Sequence, residues 1–153
     1  MGRAPRYHGL VPSSPRASVA ARGSSRKADT KPELLLRVAL RQEGLRYRKN
    51  RRDLPGIPDI VFASARLVVF VDGDFWHGKD WKKRKMKLSG GHNANYWVRK
   101  IEMNISRDRE QNQKLCHEGW TVLRVWESEI RSNLDVIVSQ VKAALGKSNT
   151  HYK

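Results

Sequence analysis

The first helical pattern of the chain follows Thr30. Its apolar residues share one face at helical spacing: Leu35, Val38 and Ala39, with Leu34 and Leu36 beside them. Thr30 and Glu33 have the spacing of a capping box, and Gly44 is a natural end point. The pattern therefore predicts a helix over roughly Lys31–Glu43.

Two short apolar runs follow this helix and have the pattern of a hairpin. They extend roughly over Ile57–Phe62 and Arg66–Val71, after a short extended piece over Leu45–Lys49. The second run is nearly all aliphatic, which is typical of a strand buried on both faces. If the two runs pair as antiparallel strands, the start of the first and the end of the second meet at one edge of the sheet.

The rest of the pattern is a polar loop, a helix, another buried strand and a helix. We predict these over 78–92, about Asn95–His117, Trp120–Trp126, and Ser132 or Asn133 to about Leu145. The long helix joins the second and third strands, so those strands should be parallel. Four residues of that helix share one face: Trp97, Ile101, Asn104 and Asp108. The predicted fold class is α/β, with a mixed central sheet flanked by helices.

Length and composition predict one domain with flexible ends. Residues 1–28 are rich in Arg, Ser, Pro, Gly and Ala and lack periodic hydrophobicity, which indicates a basic, flexible arm. We expect the domain over 29–146 and a C-terminal tail over 147–153. Cys116 is the only cysteine, so a disulfide within the chain and a multi-cysteine zinc site are both excluded. We expect Cys116 in the core rather than as a nucleophile.

The charge of the chain indicates a polyanionic partner. There are 31 Lys and Arg against 15 Asp and Glu, a formal charge of +16. A solvated basic surface or a ribosomal-type protein explains this charge too, so charge alone does not indicate an enzyme. No apolar run is long enough to span a bilayer, and no N-terminal signal core is present. We therefore expect no membrane partner and a cytoplasmic, nucleoid-associated location.

The candidate chemistry is concentrated at the predicted sheet edge. Asp59 opens the first strand of the hairpin, and Asp72, Asp74 and His77 follow the second. Several carboxylates at one edge suit a hard cation such as Mg²⁺, and a nearby histidine can deprotonate a water. Taken alone, Asp59 is equally well a turn carboxylate that accepts from backbone N–H groups, and His77 an ordinary histidine. Together, in a basic chain, they favour a metal-dependent nuclease.

Other polar and aromatic residues have two interpretations each. Phe75 and Trp76 either belong to the core or, beside acids and lysines, wedge between base pairs. Glu33 is first a capping residue, and becomes a site acid only if its helix end faces the sheet edge. Asn104 and Asp108 can lie on a helix surface, but their register with core residues favours burial.

A series of short motifs between about Arg22 and Glu129 occurs in the order found in one known family. The motifs are Thr30-Lys31-Pro32-Glu33, Leu54-Pro55-Gly56-Ile57-Pro58-Asp59, Val71-Asp72-Gly73, Phe75-Trp76-His77-Gly78, Asn95-Tyr96-Trp97, Lys100-Ile101, Asn104, Arg107-Asp108 and Gly119-Trp120-Thr121-Val122-Leu123-Arg124-Val125-Trp126-Glu127. Through them the sequence resembles the very short patch repair (Vsr) mismatch endonucleases. The resemblance implies a restriction-endonuclease-like core related to the PD-(D/E)XK group. It also implies a monomer that nicks double-stranded DNA 5′ to the thymine of a T·G mismatch left by deamination of 5-methylcytosine.

The resemblance also implies roles for the site residues. Asp59 would be the principal Mg²⁺ ligand, together with the backbone carbonyl of Val71, and His77 would activate the attacking water. Asp72 stands where some members have histidine, paired with the acid that matches Asp108. Glu33 matches a family acid near the site, which completes the expected catalytic set.

Further residues are expected to contact DNA. Phe75 and Trp76 match aromatics that enter the duplex beside the mismatch. The basic residues expected at the phosphates are Lys79, Lys82, Lys83, Arg84, Lys85, Arg22 and Arg26. Many members carry a structural zinc in this region, but here the corresponding positions include Asp74, Lys79 and Ser128. We therefore expect no structural zinc.

Two other functions remain open from the sequence. A related nuclease that cuts at a modified base, a junction or a restriction site would also use a wedge and a metal site. A non-catalytic DNA-binding module that kept only the fold is the second alternative. Aligned acids beside phosphates count against it, since like charges repel without a metal.

Overall fold

The computed structural model describes residues 29–149. The elements, in chain order, are α1 (Lys31–Gln42), β1 (Arg48–Lys49), β2 (Ile60–Phe62), β3 (Leu67–Asp72), α2 (Trp81–Ser89), α3 (Ala94–His117), β4 (Thr121–Trp126), α4 (Glu127–Ser132) and α5 (Leu134–Asn149). The predicted arm over 1–28, including Arg22 and Arg26, lies outside the described residues. So do residues 150–153 of the predicted tail. The α/β class is confirmed.

The four strands form one mixed sheet in the order β1-β2-β3-β4. β2 pairs antiparallel with both β1 and β3, and β3 pairs parallel with β4. The predicted hairpin and the predicted parallel pair are therefore confirmed. Within the parallel pair, Phe70 lies opposite Arg124 and Asp72 lies opposite Trp126. This register brings a basic side chain of β4 next to the acidic end of β3.

The sheet separates two hydrophobic layers. Alternate residues of β3 point to opposite faces, so Leu67, Val69 and Val71 join the larger cluster with residues of α1 and α5. Val68 and Phe70 join the smaller cluster, which includes Leu115 of α3 and Trp120. Every residue of β3 is buried, as predicted for this strand. The end of β3 is therefore a rigid support for the residues that follow it.

The buried face of α1 differs from the prediction. Leu34, Leu35 and Val38 are 46%, 42% and 53% exposed, whereas Leu36 and Leu40 are fully buried. The expected apolar face is wrong because the buried face also carries a matched acid and base, Glu33 and Arg37. A paired charge can occupy a buried position that an apolar pattern assigns to leucine. As a result, Glu33 points inward.

Two short helices were missed. The stretch over 78–92, predicted as a loop, contains α2, and α4 directly follows β4. α2 has no buried residue, so no apolar periodicity marks it, although Lys, Arg, Met and Leu are good helix formers. α5 continues to Asn149, past its predicted end at Leu145.

Two predictions of burial are also wrong. Cys116 is exposed near the end of α3, because Leu115 takes the core position beside it. In β4 only Val125 is buried, since this strand has a neighbour on one side only. Among residues 29–149, no helix combines the length and the apolar composition that crossing a bilayer requires.

Candidate active site

Five residues predicted as catalytic lie within electrostatic reach of one another. Glu33 comes from the first turn of α1, Asp59 directly precedes β2, and Asp72 ends β3. Asp108 lies in the middle of α3, and His77 lies in the segment that follows β3. The charges of Glu33 and Asp72 both act on Asp59, while Asp72 and Asp108 both contact His77. Four separate parts of the chain therefore contribute to one site.

Glu33 is held by a buried salt bridge. Arg37 Nη2 donates to Glu33 Oε2 at 3.0 Å, and the two side chains are 5% and 4% exposed. Arg37 Nη1 also donates to Asp29 Oδ1 at 2.5 Å, and the backbone N–H of Asp29 donates to Glu33 Oε2 at 2.9 Å. Burial raises the pKa of the Glu33 carboxyl, and the Arg37 charge opposes this rise. Arg37 therefore supplies the countercharge for Glu33.

Asp59 has a backbone donor but no basic side chain against it. The backbone N–H of Val71 donates to Asp59 Oδ2 at 2.7 Å. Within residues 29–149, no salt bridge reaches this carboxylate. Burial, and then the charges of Glu33 and Asp72, raise the pKa of Asp59 to about 7. The charge of Arg37 opposes this rise only weakly. The ionised form of Asp59 is therefore poorly compensated near neutral pH, a condition that a bound cation relieves.

Asp72 is neutralised by an arginine from the neighbouring strand. Arg124 Nη1 donates to both carboxylate oxygens of Asp72, at 2.9 and 3.2 Å, and lies 3.7 Å from Asp108 Oδ1. Arg124 Nε donates to Asn112 Oδ1 at 2.8 Å, and the guanidinium carbon lies 4.0 Å from the centre of the Phe70 ring. Burial raises the pKa of Asp72, whereas the charges of His77 and Arg124 oppose this rise. Arg124 is thus fixed on three sides.

His77 is oriented by Asp108. Its Nδ1 lies 2.5 Å from Asp108 Oδ2 and 3.7 Å from Asp72 Oδ1. Burial alone would lower the pKa of His77, but the hydrogen bond to Asp108 and the charges of the two acids outweigh it and raise the pKa. The charge of Arg124 limits this rise. A carboxylate on one ring nitrogen fixes the tautomer and leaves the other nitrogen to accept a proton.

The donor set fits a divalent metal, and the charges favour one place for it. Single ligand atoms of Asp72, His77 and Asp108 lie within 4.8 Å of one another, a group that is compatible with a divalent cation. Arg124 already balances that group, so a dication there would sit beside a guanidinium. Asp59 has no salt bridge within residues 29–149, and the charge of Arg37 opposes its raised pKa only weakly. Carboxylate and carbonyl oxygens are the ligands that hard cations prefer. The charge balance therefore favours a metal at Asp59.

The segment after β3, which we call the aromatic loop (residues 73–79), presents two rings next to His77. The rings of Phe75 and Trp76 lie 5.2 Å apart, edge to face, and both contact Trp97 of α3, at 5.5 and 5.8 Å. Asn104 Nδ2 donates to the backbone oxygen of Trp76 at 2.9 Å. Both loop rings are only half-buried. They form an aromatic surface beside the acids, where the sequence predicts contact with DNA.

The predicted phosphate-binding residues separate into two groups. Lys82, Lys83 and Lys85 are exposed on α2, and Lys85 Nζ donates to Glu102 Oε1 at 2.6 Å. Lys79 instead directs its amine to Ser128 Oγ, at 2.8 Å. Asp74 accepts from the backbone N–H of Ser128 at 3.2 Å, so the three positions that the resemblance matches to a zinc region form a hydrogen-bonded group here.

Sequence reasoning missed the two arginines that balance the acids. Arg37 lies one helical turn after Glu33, a spacing at which an acid and a base pair on one face. Arg124 interrupts an otherwise apolar run in β4, and a charged residue within such a run needs a buried partner. Both signals were present in the sequence. The partner of Arg124 could be identified only once the register of β3 and β4 was known.

Comparisons with known proteins relate the chain to a family of DNA endonucleases. The family described as DNA mismatch endonuclease Vsr matches residues 13–83 of the chain. The type II nicking enzyme V.NmeDIP of Neisseria meningitidis serogroup C is 45% identical over 122 residues, which are 80% of this chain and 81% of that protein. The type II nicking enzyme V.HpaIIP of Haemophilus parainfluenzae is 40% identical over 124 residues, 81% of this chain and 86% of that protein. The DNA mismatch endonuclease Vsr of Escherichia coli (strain K12) is 37% identical over 103 residues, 67% of this chain and 64% of that protein.

Proposed function

This chain belongs to the Vsr family of DNA endonucleases and is a DNA-nicking enzyme, and we propose that it cuts one strand 5′ to the thymine of a T·G mismatch. The mismatch is the lesion left by deamination of 5-methylcytosine. The name of the Escherichia coli relative supports a mismatch substrate. We further propose that the active form is a monomer.

One observation carries the assignment of the chemistry. Of the four acids, Glu33 is paired with Arg37, and Asp72 and Asp108 are paired with Arg124 and His77. Asp59 alone among them has only a backbone donor, from Val71. A fold that needed these acids only for structure would have no reason to leave one of them without a salt bridge. This difference supports our proposal that the metal binds at Asp59.

Asp59, with the backbone carbonyl of Val71, would hold a divalent cation, and Mg²⁺ suits these oxygen ligands. When bound there, the metal supplies a Lewis acid for the scissile phosphate and a lower pKa for a nearby water. The backbone N–H of Val71 keeps the carboxylate in place at 2.7 Å. Glu33 adds negative charge next to Asp59 and so favours a cation at this position.

His77 takes the proton from the attacking water. Asp108 orients the imidazole and stabilises its protonated form once the proton has moved. Arg124 keeps the pKa of His77 from rising further, so the ring can be neutral before the reaction. Asp72 accepts a hydrogen bond from Arg124 at 2.9 Å. Its charge helps to set the pKa of His77, but Asp72 takes no part in the proton transfer.

DNA binding uses the basic and aromatic surfaces beside the site. The exposed Lys82 and Lys83 of α2 contact backbone phosphates and add a salt-dependent part of the affinity. Arg84 and Lys85 extend the same basic surface. Phe75 and Trp76 insert next to the mismatch, where the base step costs less to unstack.

A strand-specific nicking assay tests the proposal. Duplexes that differ only in one base pair, T·G, T·A or C·G, are incubated with the protein and Mg²⁺, and the cut strand and position are mapped. A Mg²⁺-dependent nick beside the mismatched thymine alone is the expected result. Nicking of matched duplexes at a fixed site would contradict mismatch specificity.

A nicking enzyme with another target is the second candidate. It is favoured by the names of the relatives, since V.NmeDIP and V.HpaIIP are described as type II nicking enzymes without mention of a mismatch. If no duplex of the first panel is cut, a second panel with 5-methylcytosine, junctions and restriction sites identifies the target. If the protein binds these DNA substrates but cuts none of them, it is a non-catalytic DNA-binding module.

A further inference from the structure

The aromatic loop is attached at both of its ends to the first turn of α4. Asp74 Oδ1 accepts from the backbone N–H of Ser128 at 3.2 Å, and Lys79 Nζ donates to Ser128 Oγ at 2.8 Å. Lys79 Nζ also lies 3.7 Å from Asp74 Oδ2, which closes a triangle. We call Asp74, Lys79 and Ser128 the loop clamp. It joins Ser128 to residues that lie 54 and 49 positions away in sequence.

The clamp satisfies groups that the helix leaves open. The residue before α4 is Trp126, which gives the helix no side-chain cap, so the N–H groups of the first turn need other acceptors. Asp74 supplies one such acceptor from outside the helix. Burial opposes the ionisation of Asp74, but the hydrogen bonds from Ser128 and the charges of Lys79 and Arg84 outweigh it and lower its pKa. The clamp is therefore a charge-assisted contact at neutral pH.

The residues between the two ends of the clamp are those proposed to act on DNA. Phe75, Trp76 and His77 lie between Asp74 and Lys79. The loop is also compact, since the N–H of Lys79 donates to the carbonyl oxygen of Asp74 at 2.9 Å. The bond from Asn104 to the backbone of Trp76 holds the other side of the loop against α3. The aromatic loop is thus held against α3 by Asn104 and against α4 by the loop clamp.

The position of the Lys79 amine conflicts with a direct role at a phosphate. Its side chain is 24% exposed and engaged with Ser128 and Asp74, whereas Lys82 and Lys83 of α2 are exposed. We propose that Asp74 and Lys79 are positioning residues, which hold the aromatic loop against α4 so that Phe75, Trp76 and His77 keep the placement that nicking needs. The expected effect on nicking rests on the proposed function, whereas the expected effect on the position of the aromatic loop does not.

The first test needs no DNA. Hydrogen–deuterium exchange of the whole protein is compared for wild type, Lys79→Met and Asp74→Ala, and peptides covering residues 73–79 and 127–132 are followed. We expect faster exchange of both peptides in both variants, because the amides there lose their tether. Lys82→Met keeps the clamp and should exchange like wild type. Lys142→Met, which removes a lysine paired at 2.6 Å with Glu43 on a distant surface, is the control for loss of one charge.

The second test separates positioning from phosphate contact. At saturating T·G duplex, Lys79→Met should lower the single-turnover nicking rate about 10–100-fold, since a small misplacement of reacting groups has effects of this size. The slope of log affinity against log salt should stay as in wild type. Lys82→Met should instead weaken the affinity for DNA and make that negative slope shallower by about one. Lys142→Met should change neither quantity.

Two results would overturn the inference. Unchanged loop exchange in Lys79→Met together with a reduced salt slope would make Lys79 a phosphate contact. Additive losses of nicking rate in the Asp74→Ala/Lys79→Met double variant would show that the two residues act independently, whereas a clamp predicts a double variant no slower than the slower single variant. If the wild-type protein cuts no T·G duplex, the proposed function fails, and the exchange comparison still decides on the clamp.

Discussion

His77 Nδ1 lies 2.5 Å from Asp108 Oδ2, so the acid holds one ring nitrogen and leaves Nε2 to take a proton. The two residues come from different elements, the aromatic loop and α3, and the contact therefore depends on the packing of the loop. Asp72 lies further away, 3.7 Å from the same nitrogen, and is itself held by Arg124. Asp108 is accordingly the orienting acid, and Asp72 contributes mainly its charge.

Removal of the proposed base should slow the chemical step. In His77→Ala the single-turnover nicking rate is expected to fall by roughly 10²–10⁴-fold, the usual contribution of a positioned general base. Asp108→Asn should have a smaller effect in the same direction, since the ring remains but loses its orienting carboxylate. His117→Ala, at an exposed position at the end of α3, is the matched control. An unchanged single-turnover rate in His77→Ala would exclude His77 as the base.

Asp59→Asn should abolish nicking and leave much of the DNA affinity. The substitution keeps the size of the side chain but removes the charge that attracts the cation, while the basic surface of α2 is untouched. Calorimetric titration with Mg²⁺ should show a metal-binding site in wild type that is lost in the variant. Asp53→Asn is the control, because Asp53 is an exposed aspartate paired with Arg51. Wild-type nicking by Asp59→Asn would remove the central assignment.

The sequence was informative where a residue's environment is set by its neighbours in the chain. The hydrophobic pattern predicted β3 as a buried strand, and the spacing on α3 placed Asn104 and Asp108 on its buried face, where both lie. It failed where paired charges take a buried position. The buried face of α1 was misassigned because the Glu33–Arg37 pair takes an inward position that an apolar pattern assigns to leucine.

The same distinction applies to the site. Asp59, Asp72 and His77 could be proposed from their places at strand ends, since strand ends of one sheet meet in space. Arg124 was not proposed, because its pairing with Asp72 depends on the parallel register of β3 and β4. The contact of Lys79 with Ser128 was also invisible, because the two residues are almost fifty positions apart in sequence. Charge alone assigned this lysine to the DNA.

Asp59 should make the stability of the metal-free protein depend on pH. Its pKa is raised to about 7 in the folded chain, so between its ordinary pKa and 7 the folded state binds a proton that the unfolded state has lost. The contribution of Asp59 to the free energy of unfolding therefore decreases as the pH rises from about 4 to about 7. In Asp59→Asn this decrease in the free energy of unfolding with rising pH should be absent.

Urea unfolding in EDTA at pH 5 and pH 8 checks that expectation. At pH 8 the free energy of unfolding of Asp59→Asn should exceed that of wild type by about 1–2 kcal/mol, less than the full pKa shift converts to, because the carboxyl is partly accessible to solvent. At pH 5 the difference should be smaller. A difference between the two proteins that does not change with pH would contradict the raised pKa.

Arg124→Met should destabilise the fold and move the pH dependence of nicking. The variant leaves Asp72 and Asp108 without their cation, and breaking a buried pair of this kind costs about 3 kcal/mol in the free energy of unfolding. The Arg124 charge also lowers the pKa of His77, so its removal should shift the acidic limb of the single-turnover rate to higher pH.

The double variant Asp72→Asn/Arg124→Met gives a sharper result than either single one. It removes both charges of the pair, so it should be more stable than the sum of the single losses predicts. Additive losses, or an acidic limb that stays in place in Arg124→Met, would show that Arg124 does not balance these acids. Both readouts are needed, because destabilisation alone would also follow from the lost contact with Phe70.

The aromatic surface of the loop should determine discrimination rather than general affinity. In the double variant Phe75→Ala/Trp76→Ala, the nicking rate on T·G duplex should fall by a larger factor than the affinity for matched duplex. The reason is that inserted rings lower the barrier to nicking only where a base step unstacks easily. The ratio of rates or affinities between T·G and T·A duplexes is the quantity to measure. Val136→Ala, at an exposed apolar position on α5, controls for loss of surface hydrophobicity. Equal losses on matched and mismatched duplexes would refute insertion and assign Phe75 and Trp76 to the packing of the loop against Trp97.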